Sequence, residues 1–191
     1  MAQEKSGEIT LQSMKQLVDG QLPYAEVKKI VHATSKDKDR IQKYLEVLQA
    51  RVQWRDPILL RLSEHLYIVR KNSNRRIVKC DCGHEFDDYR INWKLGCRIR
   101  VRTTEEDLAE VYATKCRPDP TLVEVREFYC PGCFAQLAVE VVPRGYPVQF
   151  EFLPDLDALY RDWLGKPLED ESADWFQDRS STLNTKWAKQ K

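Results

Sequence analysis

Leu122-Val123-Glu124-Val125-Arg126-Glu127-Phe128-Tyr129-Cys130-Pro131-Gly132-Cys133-Phe134-Ala135-Gln136-Leu137-Ala138-Val139-Glu140-Val141-Val142 is the stretch on which the fold turns. Its two flanks, Leu122 to Tyr129 and Ala135 to Val142, are rich in β-branched and aromatic residues and read as strands. Between them, Pro131 presets the second position of a turn and Gly132 accepts a positive φ at the third, which describes a type II turn. The ends of such a turn lie within about 7 Å, so two thiols converge at the tip of an antiparallel hairpin.

A second pair stands upstream in Cys80-Asp81-Cys82-Gly83-His84. In a flat strand its two Cα atoms would lie about 6.6 Å apart on one face. Tetrahedral zinc with bonds of about 2.3 Å needs the sulfurs closer, and Gly83 supplies the bend. The set Cys80, Cys82, Cys130 and Cys133 therefore predicts one zinc ion, used for structure, because four thiolates leave no position for water or substrate. The 47-residue spacer between the pairs is longer than in most zinc ribbons, and Phe134 stands where such turns often place Gly. His84 is the alternative ligand, although four sulfurs already fill the site; otherwise it is a neighbour or a surface residue. Cys97 alternates with Ile99 and Val101 and reads as a small buried hydrophobe, and Cys116 as the same or exposed.

Outward from the cysteines, the period is two over the middle of the chain. Leu66 to Arg70 and Arg75 to Lys79 are strands around a polar Lys71-Asn72-Ser73-Asn74 turn. Leu95 to Arg102 is a longer strand with Cys97, Ile99 and Val101 on a core face and Arg98, Arg100 and Arg102 on the other. Thr103 and Glu106 have capping-box spacing, which starts a helix running to about Lys115. The first third is helical: Ile9 to Val18, stopped by Gly20; a helix after Pro23 with Val27, Ile30 and Val31; and Asp37 to Val52 with apolar residues at three- and four-residue spacing. After Pro154, Asp155 caps a last helix through Trp163. Residues 168 to 178 carry five acids and no bases, so the end reads as a tail without a core of its own, in which Trp175, Phe176 and Trp187 are large aromatics suited to meeting a partner.

The fold class that follows is α+β: N-terminal helices over 1–56, an antiparallel zinc-ribbon-like sheet with an inserted helix over 57–154, a C-terminal helix over 155–167 and a polar, aromatic-bearing tail over 168–191. At 191 residues, 42% of them hydrophobic, the chain can bury roughly 70% of its unfolded surface. Its 31 basic and 30 acidic residues nearly cancel, which disfavours a protein built to neutralise phosphates. The local cluster Arg70, Lys71, Arg75, Arg76 and Lys79, with Arg98, Arg100 and Arg102, nevertheless keeps a nucleic-acid-binding face as the lesser alternative. The acidic start without an apolar run lacks a signal peptide, and no stretch approaches the roughly 20 apolar residues of a membrane span. A cytoplasmic chain is expected, where paired cysteines bind metal rather than form disulfides. No phosphate loop, His-Glu metal motif or Gly-x-Ser-x-Gly elbow occurs, so no catalytic residue is assigned.

Cys-Asp-Cys-Gly-His-Glu-Phe at 80–86, Asn-Trp-Lys-Leu at 92–95 and Arg-Glu-Phe-Tyr-Cys-Pro-Gly-Cys at 126–133 resemble the gamma subunits of acetone carboxylases. Trp54-Arg55-Asp56, Leu66-Tyr67-Ile68-Val69, Pro118-Asp119-Pro120, Tyr146-Pro147-Val148 and Asp155 to Leu164 fall in that family's order, so the resemblance spans about Leu11 to Pro167. It implies a small zinc-binding subunit of an ATP-dependent ketone carboxylase that joins acetone with bicarbonate to give acetoacetate. It also implies two larger partner subunits, alpha and beta, that carry the ATP and manganese sites, with two copies of each chain. An acetophenone-type carboxylase is the alternative within the same resemblance.

Overall fold

The computed structural model describes residues 6–71 and 75–183. The chain opens with a two-residue strand β1 (Ser6–Gly7), helix α1 (Leu11–Val18), helix α2 (Tyr24–Val31), a strand β2 (Ser35–Lys36) parallel to β1, and helix α3 (Arg40–Gln49). Thr10 caps α1 by accepting from Ser13 N–H at 3.0 Å, so the helix starts two residues later than its apolar pattern suggests. Gly20 stops it at φ +69°, a left-handed conformation open to glycine without steric cost.

Four antiparallel strands follow, β3 (Ile58–Arg61), β4 (Leu66–Arg70), β5 (Arg76–Cys80) and β6 (Glu85–Asp88), ordered β3-β4-β5-β6. The expected turn between β4 and β5 falls on 72–74, outside the described residues. Strand β6 was not legible as a strand, because Glu85-Phe86-Asp87-Asp88 is mostly acidic; its pairing with β5 recruits it. The central strand β4 buries both faces. Leu66 and Ile68 meet Val78, Cys80, Tyr89, Cys130, Leu137 and Leu156, while Tyr67 and Val69 meet Leu48 of α3 with Ile58 and Ile77. A sheet covered on both sides explains why Leu66 to Val69 is an unbroken apolar run.

The second sheet has three antiparallel strands, β7 (Arg98–Arg102), β8 (Val123–Tyr129) and β9 (Gln136–Pro143), in sequence order. Strand β7 begins at Arg98 because Trp93–Gly96 forms a 3-10 turn, capped by the Asn92 side chain accepting from Lys94 N–H. Its expected core face is overturned: Ile99 and Val101 are 40% and 45% exposed, whereas Arg102 is 4% exposed. The reason lies across the sheet. Glu127 of β8 accepts from Arg102 Nε at 2.7 Å, and Glu110 accepts from Arg102 Nη1 at 2.7 Å, which satisfies a charge that alternation alone assigns to solvent. Helix α4 (Glu105–Ala109) is capped by Thr104, not Thr103, through Asp107 N–H at 3.1 Å. It also ends well before Lys115, with Leu108 its one buried residue.

Helix α5 (Leu156–Ala158), capped by Asp155, widens into a π-type turn over Leu159–Trp163. The following segment, expected to be a tail, is instead seated on the first sheet. Leu168 joins the main core. Asp170 and Asp157 both pair with the fully buried Arg76, and Trp175 lies between Arg76 and Arg90, whose guanidinium carbons are 4.5 and 4.3 Å from its ring centre. Tyr89 donates to Trp175 O at 2.7 Å, and Asn92 N–H donates to Ser180 Oγ at 2.9 Å. Phe176 remains 57% exposed, and Trp187 lies outside the described residues. The acids of this segment are not all surplus charge: Asp170 joins Asp157 of α5 in neutralising the Arg76 that the sheet buries, and Glu171 pairs with Arg161. No helix among the described residues is long and apolar enough to cross a membrane.

Candidate metal centre

Two backbone turns present the cysteines. In the first, Cys80 N–H donates to His84 O at 2.8 Å and Gly83 N–H to Cys80 O at 2.9 Å, with Gly83 at φ +97°. In the second, Cys130 N–H donates to Ala135 O and Phe134 N–H to Cys130 O, both at 2.9 Å. The bend of the second turn falls elsewhere than expected. Phe134 takes the positive φ, at +60°, and Gly132 does not take the left-handed conformation. Gly132 serves another end: a Cβ there would crowd the facing turn, 3.1 Å from His84 Cβ and 3.4 Å from Cys82 Sγ. The two turns approach each other across that bare Cα.

The four sulfurs Cys80, Cys82, Cys130 and Cys133 all lie within 4.8 Å of one another. Cys80 Sγ is 3.9 Å from Cys133 Sγ, and Cys82 Sγ is 3.7 Å from Cys130 Sγ. Metal–sulfur bonds of about 2.3 Å in a tetrahedron set sulfurs about 3.8 Å apart, so the thiols present fit a tetrahedral soft-metal ion. Cys80 and Cys130 are buried, Cys82 and Cys133 exposed. Burial pushes the Cys80 and Cys82 thiols up. At Cys133 burial is outweighed by the Ala135 N–H and the neighbouring sulfurs, which hold it below the ordinary thiol value. A bound dication removes the cost of burying thiolates, at the expense of their protons.

His84 is not in the sulfur cluster; its ring packs edge-on against Phe86 at 4.9 Å. Cys97 is half-buried beside the core and its thiol is pushed up to about 12, first by burial and then by Cys130. Cys116 is exposed.

A family model for the acetone carboxylase gamma subunit matches residues 52–164, more than half of the chain. The chain belongs to the acetone carboxylase gamma subunit family. It is 38% identical over 157 residues to the "Acetone carboxylase gamma subunit" of Xanthobacter autotrophicus, covering 82% of this chain and 93% of that protein. It is also 35% identical over 81 residues to the "Acetophenone carboxylase beta subunit" of Aromatoleum aromaticum, covering 41% of this chain and 63% of that one.

The gamma-subunit match contains all four cysteines and also Trp54 and Asp56, whose places at the centre are visible only in three dimensions. Trp54 Nε1 donates to Cys80 O and Asp81 O, each at 3.1 Å, clamping the first turn from outside. Asp56 pairs with Lys71 and with Lys79, Glu85 closing the group. Asp81 holds His65 Nδ1 at 2.7 Å and lies 3.3 Å from Cys80 Sγ. Most of the basic cluster considered for nucleic acid is engaged in the same way. Arg76, Lys79 and Arg102 are buried in ion pairs, and Lys71, Arg75 and Arg100 each face a carboxylate.

Proposed function

We propose that this chain is the gamma subunit of an ATP-dependent acetone carboxylase and that Cys80, Cys82, Cys130 and Cys133 hold one structural zinc ion. The observation that carries the reading is a donor set of four sulfurs at tetrahedral spacing in a chain that matches the curated gamma subunit over nearly its whole length. Four thiolates close the coordination sphere, so the chain's contribution is shape: the ion ties the β5–β6 turn to the β8–β9 turn. The ATP and manganese chemistry that joins acetone with bicarbonate then belongs to larger alpha and beta subunits, with two copies of each chain in a cytoplasmic complex. The acetophenone-type alternative has weaker support, since that relative aligns over 81 residues against 157. The nucleic-acid reading is disfavoured by the internal pairing of most of the basic cluster, because a cation already neutralised releases few counterions on binding.

Cys130→Ser in a reconstituted complex tests the proposal. Elemental analysis should give one zinc per wild-type chain, and the variant should lose zinc, assembly and carboxylation together, while His84→Ala keeps most of all three. A Cys130→Ser complex that assembles fully, binds manganese and nucleotide normally and yet is chemically dead would make the zinc catalytic and overturn the structural role.

A further inference from the structure

Among the described residues strand β7 is an edge that pairs only with β8: the sheet order is β7-β8-β9, and residues 98 to 101 are all exposed. Its alternation sets apolar Ile99 and Val101 against Arg98 and Arg100. Arg98 has no carboxylate partner among the described residues; its guanidinium carbon lies 5.4 Å over the ring of Phe134, itself 62% exposed. Arg100 forms an ion pair with the exposed Glu110, which it shares with Arg102, and stands opposite Glu127 of β8, whose carboxylate is taken by Arg102. An open strand edge is a template for another strand, and this one carries charge that discriminates among strands. A second copy pairing antiparallel about Arg100 would set Arg100 against itself and Arg98 against Arg102, and like charges directly opposite are destabilising. The other edge, β9, offers Val139 and Val141, and its acid Glu140 is already paired with the buried Lys94; no unpaired charge there selects a partner.

We propose that β7 receives an extended segment of a larger carboxylase subunit, in which acidic residues face Arg98 and Arg100 and apolar residues face Ile99 and Val101. Main-chain hydrogen bonds supply affinity, and the alternating side chains supply specificity. This rests on the chain being a carboxylase subunit and names the surface by which it assembles. It also links assembly to the metal centre. Phe134 directly follows the ligand Cys133, and Cys97, at the foot of β7, borders the buried Cys130, so both supports of the edge hang on the sulfur cluster.

The experiment measures association of the full chain with the purified larger subunits for wild type, Arg98→Glu, Ile99→Lys and, as a comparison, Val139→Lys, alongside hydrogen exchange of residues 98 to 102. Arg98→Glu and Ile99→Lys should each weaken association by roughly tenfold or more, with zinc content and Tm at wild-type values, and β7 amides should be protected in the wild-type complex. Val139→Lys should associate normally. Wild-type association by Arg98→Glu and Ile99→Lys, with unchanged exchange at β7, overturns the proposal, as does loss confined to Val139→Lys. A wild-type chain that dimerises alone, and whose dimer Ile99→Lys abolishes, assigns the edge to a second copy instead. A wild-type chain that never binds the larger subunits refutes the subunit reading itself, not the choice of edge within it.

Discussion

Phe134 holds φ at +60° in a region that costs a residue with a Cβ roughly 1–2 kcal/mol. Glycine escapes that cost but loses about 0.5–1 kcal/mol of backbone entropy on folding. The Arg98 guanidinium over the exposed ring adds about 0.5–1 kcal/mol that either substitution forfeits. Phe134→Gly should therefore sit near wild type in stability, and Phe134→Ala should be the less stable of the two by about 0.5–1 kcal/mol. Urea unfolding of both variants checks this inversion of the usual preference for alanine. Equal stability, or a more stable alanine variant, would show that the turn relaxes away from its left-handed residue.

Strand β7 shows how an element takes its environment from its neighbours. Arg102 and Glu127 are diagonal partners across the β7–β8 ladder, their side chains 5% and 7% exposed. Removing one partner of a buried pair leaves a stranded charge, at about 3–5 kcal/mol, whereas replacing both by apolar residues is often close to neutral. Arg102→Leu should thus be strongly destabilised, and Arg102→Leu combined with Glu127→Leu should recover most of the loss in a double-mutant cycle of unfolding free energies. Additive losses would mean that the two side chains do not act as a pair. The C-terminal segment follows the same logic in reverse. Asp170 and Trp175 neutralise and cover Arg76, so deletion after Pro167 should cost about 3–5 kcal/mol, a large share of a net stability of about 5–15 kcal/mol. Thermal and urea unfolding of the truncated chain should show that loss. An unchanged midpoint would return the segment to the role of a tail awaiting a partner.

Across the whole molecule, acid should attack the ion pairs that hold its carboxylates charged, Asp88 with Arg90 among them. Burial raises the Asp88 carboxyl, but Arg90 outweighs it through side-chain and backbone hydrogen bonds, and the group is held below its ordinary value of 3.8. A depressed folded value means that its stabilisation is fully present above the ordinary carboxylate range and is lost as pH falls through the folded value. The stability gap between wild type and Asp88→Asn should accordingly be constant from neutral pH down to about 5 and shrink below about 4. Measuring both proteins at each pH removes any shared effect of acid on the cysteine cluster. A gap that widens in acid would place the carboxylate's folded value above its ordinary one.

What could be read from residues alone was whatever rests on local stereochemistry. Pro131 and Gly83 mark tight turns, Asp155 and the polar/apolar periods mark caps, helices and strands, and paired cysteines mark a cluster that could hold a metal ion. The α+β class and the meeting of Cys80, Cys82, Cys130 and Cys133 were therefore legible, as was the family. Long-range pairing was not. That Arg102 enters the interior depends on Glu127, 25 residues away, and that residues 168 to 180 fold onto the sheet depends on Arg76, 94 residues from Asp170. Gly132 looked necessary for its φ and instead matters for its missing Cβ, because His84 and Cys82 arrive there from another turn. Burial of a charge is a property of the pair, and one-dimensional patterns assign it residue by residue. The physical division is that propensity acts over a few neighbours in the chain, while desolvation and steric approach are settled by whatever the fold brings alongside.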